Sequence, residues 1–142
     1  MQMPTASLAA ELDARLIALW RTVGRFGRRE LSRTAASVLA ALRDGGPQRV
    51  TALAMAEAIA QPSMTTLLSR LERDGLVSRG SDPADARAVL ATITAEGLER
   101  LTTIRAARAA VIEARLAELD PADREALAAA IPALAKLTGE AV

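Results

Sequence analysis

Apolar residues recur near the start of the chain at Leu8, Leu12, Leu16, Leu19, Val23 and Phe26, in steps of three and four. That spacing lays one apolar stripe along a helix over residues 7–29. Its heptad-like rhythm suits packing against another helix, including one from a second chain. A second helix starts near Thr34, carries Val38, Leu39 and Leu42, and stops at Gly45-Gly46-Pro47. A third and shorter one runs from an N-cap at Thr51 through Leu53, Ala54 and Glu57. Pro62 suits the first turn of a fourth, where its missing N–H costs nothing, and Gly75 is the natural stop. In this fourth helix Met64, Leu67, Leu68 and Leu71 form the face to be buried, while Thr65, Thr66, Ser69, Arg70 and Arg73 fall mostly on the other side. Leu76–Arg79 reads as a short strand and Ala88–Ile93 as its return, joined by the polar, turn-rich stretch Gly80–Arg87. Thr94 can cap a further helix with its stripe at Leu98, Leu101, Ile104, Val111, Ile112, Leu116 and Leu119. Asp120-Pro121 then restarts the chain with a cap and a first-turn proline, and Pro132 should kink or break the last helix.

Helix, helix, then a helix exposing hydroxyls and arginine, then a hairpin, is the order of a winged helix-turn-helix. A proline-started helix with small hydroxyls and Arg on its open face is what reading a major groove requires. The predicted class is therefore mostly α with a small β-hairpin.

Composition agrees with helices and removes much chemistry. The 142 residues include 33 Ala and 20 Leu against only 8 Gly and 6 Pro. Cys, His and Tyr are absent, which excludes disulfides, thiolate catalysis and the commonest general base and metal ligand. No carboxylate run has calcium-loop spacing, so neither metal nor other cofactor is expected. Net charge is only +1, but residues 15–49 hold eight Arg against Glu30 and Asp44, whereas residues 106–142 carry an excess of two acids. Seventeen of the 18 basic residues are Arg, the side chain suited to bidentate phosphate contacts. From charge alone, solvated helix faces are the better reading, with nucleic-acid binding the alternative. No 18-residue apolar run is present and the acidic N-terminal segment does not read as a signal peptide, so a cytoplasmic protein without a membrane span is expected. Trp20 and Phe26 are the sole aromatics, too few for a base-stacking surface; Trp20 suits the core of a dimer or lobe junction, with a ligand-pocket wall as the alternative.

Three blocks carry a resemblance to a known family. They are Arg49-Val50-Thr51-Ala52-Leu53-Ala54, then Gln61 through Val77, then Asp82-Pro83-Ala84-Asp85-Ala86-Arg87-Ala88-Val89-Leu90 leading into Ile93-Thr94-Ala95-Glu96-Gly97. Leu-Ala and Gly-Leu-Val are weak singly, but their joint order with the Asp-Pro-x-Asp-x-Arg wing resembles the MarR (multiple antibiotic resistance regulator) family of transcription factors. The resemblance implies a winged helix-turn-helix lobe over residues 31–94 joined to a helical dimerisation region, residues 1–30 and 95–142. It implies a homodimer on a pseudo-palindromic operator in double-stranded DNA, usually a repressor and often released by a small, commonly aromatic anion between the lobes. One departure stands out: where the family often has Gly in the turn before the recognition helix, this chain has Ala58. If that site needs the left-handed conformation, Ala costs about 1 kcal/mol relative to Gly; either the turn stays right-handed or the fourth helix is set at a slightly different angle.

The candidate contacts follow. Arg87 suits a narrow minor groove, whose negative potential draws in a guanidinium, and Asp85 could hold that side chain in place. Ser63, Thr65, Thr66, Ser69 and Arg70 are the base and phosphate candidates, with Gln61 and Pro62 at the helix start, where backbone N–H groups favour phosphate. Arg79 suits a phosphate contact or an ion pair with Asp85 or Glu72, and Arg49 can reach phosphate from before the third helix. The rival function is a winged-helix adaptor that binds protein rather than DNA; basic charge around the recognition helix and the Asp85/Arg87 wing speak against it. A hydrolase is a poor third, with Ser and Asp present but no His.

Overall fold

The computed structural model describes residues 3–23 and 31–139. Among these residues six helices and three strands follow one another as α1 (Thr5–Val23), α2 (Arg33–Gly45), β1 (Gln48–Arg49), α3 (Val50–Ala56), α4 (Gln61–Arg73), β2 (Val77–Asp82), β3 (Asp85–Ile93), α5 (Ala95–Ala117) and α6 (Pro121–Thr138). Phe26 of the first stripe, with Arg25, Arg28 and Arg29, falls outside the described residues. The chain divides into two compact units, Phe26–Ala106 and the pair Met1–Arg25 with Ala107–Val142.

The first of these units owns the core. Val38, Leu39 and Leu42 of α2, Leu53 of α3, Met64, Leu68 and Leu71 of α4, Val77 and Ala91 of the sheet and Leu101 of α5 are all at most 2% exposed. Ser32 caps α2, accepting the Ala35 N–H at 3.1 Å. The cap of α3 is Arg49, without a side-chain bond, so Thr51 lies inside the helix rather than at its cap. The sheet is antiparallel in the order β1-β3-β2. Its third strand, Gln48–Arg49, pairs with Ala91 and Leu90 and enlarges the expected hairpin to three strands. The hairpin itself is also longer than its apolar residues suggest. Pairing runs from Val77↔Ile93 out to Ser81↔Val89, and after an irregularity Asp82 faces Asp85, leaving Pro83 and Ala84 as the turn.

Both ends of the helix-turn-helix finish in the same backbone motif. After α4, Gly75 adopts φ 76° and the N–H groups of Gly75 and Leu76 bond the carbonyls of Glu72 and Leu71. After α3, Ala58 adopts φ 53° and the N–H groups of Ala58 and Ile59 bond Met55 and Ala54. This is the Schellman arrangement twice, once with glycine and once without. Ala58 therefore keeps the left-handed turn and bears its strain.

Thr94 joins the sheet to α5 and to the end of α4. Its hydroxyl donates to the Gly75 carbonyl at 2.6 Å and accepts the Gly97 N–H at 3.0 Å. Gly97 lies so close to Leu76 that a Cβ there would collide with the Leu76 carbonyl oxygen and sit 2.8 Å from Ile93 Cγ1.

In the other unit, Asp120 caps α6 by accepting the Asp123 N–H at 2.9 Å, and Arg124 donates to the Leu119 carbonyl at 2.6 Å near the end of α5. The α6 helix runs through Pro132 without breaking. Arg108 stands 5.6 Å from the centroid of the Trp20 ring, and Trp20 is 38% exposed within this one chain. Leu8, Leu16, Leu19, Leu127, Ile131, Leu134 and Leu137 are all exposed, Leu137 to 72%.

Candidate nucleic-acid interface

Helix α4 is held by one face and open on the other. Met64, Leu67, Leu68 and Leu71 are buried. At about 100° per residue, Pro62, Thr66, Ser69 and Arg73 line up opposite that face, with Ser63 and Arg70 flanking one side and Thr65 and Glu72 the other. All of these but Glu72 and Arg73 are contact candidates from the sequence alone. Arg73 was legible, since it falls one turn beyond Ser69 on the same line. Pro62 sits in the first turn after the N-cap Ala60, as its missing N–H demands.

The hydroxyls and the cations of this face differ in state. Thr65, Thr66 and Ser69 donate to the carbonyls of Gln61, Pro62 and Thr65 at 2.9–3.0 Å, one helical turn back. Each oxygen keeps a lone pair facing outward for a donor such as a base amino group. Among the described residues, the side chains of Gln61, Ser63, Arg70 and Arg73 have no hydrogen-bond or ion-pair partner.

The wing stands beside this helix. Alternate residues of a strand share a face, so Arg87, Val89 and Ala91 point one way, and Arg79 lies opposite Ala91 on that same face. A groove of about 170 Å³ opens there, lined by Arg49, Val50 and Thr51, by Gln61 and Thr65 of α4, and by Arg79, Arg87, Ala88 and Val89 of the wing. Three guanidiniums thus converge on one cleft.

Their partners are unequal. Arg49 donates through Nε and a terminal nitrogen to Asp82 Oδ2, both at 2.7 Å, while Asp82 Oδ1 accepts the Ala84 N–H at 2.8 Å. The Ala84 N–H and the Arg49 guanidinium hold the Asp82 carboxyl below its ordinary pKa, and Asp82 is only 9% exposed. Arg79 pairs with Glu72, Nε at 2.9 Å and a terminal nitrogen at 2.6 Å, and its backbone N–H reaches Glu72 Oε1 at 3.3 Å. That arginine lowers the Glu72 pKa. Arg87 alone of the three has no partner for its guanidinium among the described residues. The expected clamp from Asp85 is not made: the Asp85 carboxylate accepts the Arg87 backbone N–H at 3.1 Å and so shapes the turn, leaving the side chain loose. Two residues apart at the start of a hairpin strand, the carboxylate reaches the nearer backbone donor first.

The surface is not basic by count. Residues 61–89 hold four arginines and four carboxylates. Ion pairs take up Glu72 and Asp82, so among the described residues Arg70, Arg73 and Arg87 are left without a carboxylate partner, against the unpaired Asp74 and Asp85.

Comparison with known proteins gives a consistent picture. The sequence model of the MarR family matches residues 31–89. An uncharacterized HTH-type transcriptional regulator of Mycobacterium bovis is 32% identical over 136 residues, covering 95% of each chain. A Pseudomonas aeruginosa protein of known structure is 33% identical with a TM-score of 0.78, covering 95% of this chain and 98% of that one. BpsR of Bordetella bronchiseptica, whose DNA binding is regulated by 6-hydroxynicotinic acid, is 25% identical with a TM-score of 0.61 over 93% of each chain. Among the described residues, no helix is long and apolar enough to cross a membrane.

Proposed function

The chain belongs to the MarR family of transcriptional regulators, and from that premise we propose a cytoplasmic, non-enzymatic homodimer that represses by gripping a pseudo-palindromic operator in double-stranded DNA. Residues 31–94 carry the DNA contact in this reading, and residues 1–30 with 95–142 the dimer contact. The observation that carries it is the groove beside α4, with free arginines on the helix face and Arg87 on the wing. Recognition helices entering successive major grooves would present Thr65, Thr66, Ser69, Arg70 and Arg73 to base edges. Gln61, Pro62 and Ser63 would meet the backbone at the helix start, with Arg49 and Arg79 on phosphates and Arg87 in the minor groove. The exposed leucines and isoleucines of α1 and α6 supply the apolar surface for a second copy. Release by a small aromatic or anionic effector is supported by the regulation of BpsR by 6-hydroxynicotinic acid.

Arg87→Ala tests the reading. Two lost contacts per dimer, at roughly 1–3 kcal/mol each, weaken operator binding by on the order of tenfold to a thousandfold or more. The salt dependence should flatten by about two units. Competition on operator and scrambled duplexes at two salt concentrations checks both, with circular dichroism confirming the fold. Wild-type affinity and slope in the variant would remove the wing from the interface, and binding insensitive to salt would favour a protein-binding adaptor. Sedimentation at micromolar concentration tests the dimer, which a helical monomer would overturn.

A further inference from the structure

Glu72 and Asp82 stand where a phosphate-binding surface should least tolerate acids. Each is held by an arginine that lines the groove. A guanidinium has five N–H donors, and in both pairs the carboxylate engages only the Nε edge, through one of its oxygens. The remaining terminal N–H groups stay available to an incoming anion. Each carboxylate also fastens two pieces of chain. Asp82 ties the wing turn at Ala84 to Arg49 ahead of α3. Glu72, in the last turn of α4, takes the backbone N–H of Arg79 as well as its side chain, tying the recognition helix to the first wing strand.

We propose that Glu72 and Asp82 are positioning residues for DNA recognition: they fix Arg79 and Arg49 on the two walls of the groove and set the wing against the recognition helix. The proposal rests on the DNA-binding reading above. An arginine already immobilised loses less freedom on meeting a phosphate, and a wing at a fixed angle meets the minor groove only when α4 is seated in register. The two acids therefore serve discrimination at the expense of bulk attraction. Arg87, with no such holder, supplies charge that adapts to groove width.

The two effects have opposite signs, which makes the idea testable. Glu72→Gln and Asp82→Asn each add one positive unit per protomer, and long-range attraction alone would tighten binding to any duplex. Positioning predicts the reverse at the specific site. The probes are the best-bound duplex recovered by selection from a randomised pool and a scrambled duplex of equal composition. Each variant should bind the selected duplex about threefold to tenfold more weakly per protomer, and the scrambled one as well as or better than wild type. Arg79→Lys, which keeps the charge but cannot offer the same edge to Glu72, should lose the same discrimination with an unchanged salt slope. Melting temperature is measured on every variant. Glu72 is the more exposed acid, so its variant and Arg79→Lys decide the matter even where Asp82→Asn unfolds. Tighter or equal binding to both duplexes by Glu72→Gln, with the ratio between them unchanged, overturns the proposal. Failure of the wild type to select any duplex would instead overturn the DNA-binding reading beneath it.

Discussion

Both units of this chain carry apolar residues at helical spacing, yet only one covers them from within. In α2 the stripe residues Val38, Leu39 and Leu42 are buried to 1% or less. In α6 the corresponding residues Leu127, Ile131 and Leu134 are exposed, and no residue of that helix is buried. A period of 3.6 states that a face will meet other apolar surface; it does not state whose. The winged unit solves its own burial problem with three helices, a sheet and the start of α5. The helical unit leaves its own open.

Matched truncations put the contrast to the sharpest test. Leu68→Ala, in the completed core, should cost about 2–5 kcal/mol of stability in denaturant unfolding. Ile131→Ala should cost less than about 0.5 kcal/mol if its face stays in water. If a second copy covers that face, the loss rises to about 1–3 kcal/mol, with a shift toward monomer in sedimentation. Identical behaviour of Ile131→Ala at high and low protein concentration, with a loss below about 0.5 kcal/mol, would mean that no second copy covers that face.

The next largest effects lie within the winged unit, at its two helix ends. Ala58→Gly should stabilise by about 1 kcal/mol, because glycine takes φ 53° without strain. Gly75→Ala should destabilise by a similar amount, its new Cβ also pressing at 2.9 Å on Glu96 Oε2, a flexible carboxylate that can move aside. Thermal melts of both variants check the pair; opposite signs are the expected result.

Acid gives the smallest effect, and beside the groove it acts through Glu72 and Asp82. Glu72 and Asp82 have folded-state pKa values below their ordinary unfolded ones, lowered by the Arg79 guanidinium at Glu72 and by the Ala84 N–H and Arg49 at Asp82. Their contribution is complete above the unfolded values and disappears as pH falls through the lowered folded ones. The melting difference between wild type and Asp82→Asn should hold from neutral pH to about pH 5 and shrink below about pH 4. A difference that grew on acidification would contradict the ion pairs.

Helices were legible because their packing faces are periodic. Leu53, Met64, Leu68 and Leu71 could be placed by counting, and so could the caps at Thr94 and Asp120. The hairpin was legible too, but not its outer part, because Gly80, Ser81, Asp85 and Arg87 lie beyond the apolar core, where a ladder needs no alternation of apolar residues. Strand β1 escaped for a simpler reason: two residues have no period. Of the interface, the exposed face of α4 could be read directly, Arg73 included. The pairing of Arg49 with Asp82 spans 33 positions and could not, since only the completed sheet brings them together. Asp85 and Arg87 were correctly seen as neighbours, but spacing says nothing about whether a carboxylate meets a side chain or a backbone N–H.

The back-bonded hydroxyls of α4 bear on how such a protein would search a genome. Off its target, sliding along phosphates, it carries Thr65, Thr66 and Ser69 with their protons already placed on helix carbonyls. A base edge that offers them nothing leaves no donor stranded, so wrong sites are crossed without a desolvation barrier at these positions. At the right site each hydroxyl can rotate, exchanging its carbonyl for a base acceptor, or stay and accept from an amino group. Those three residues would thus be silent during transit and selective on arrival, leaving the cost of every mismatch to the unpartnered Arg70 and Arg73 beside them.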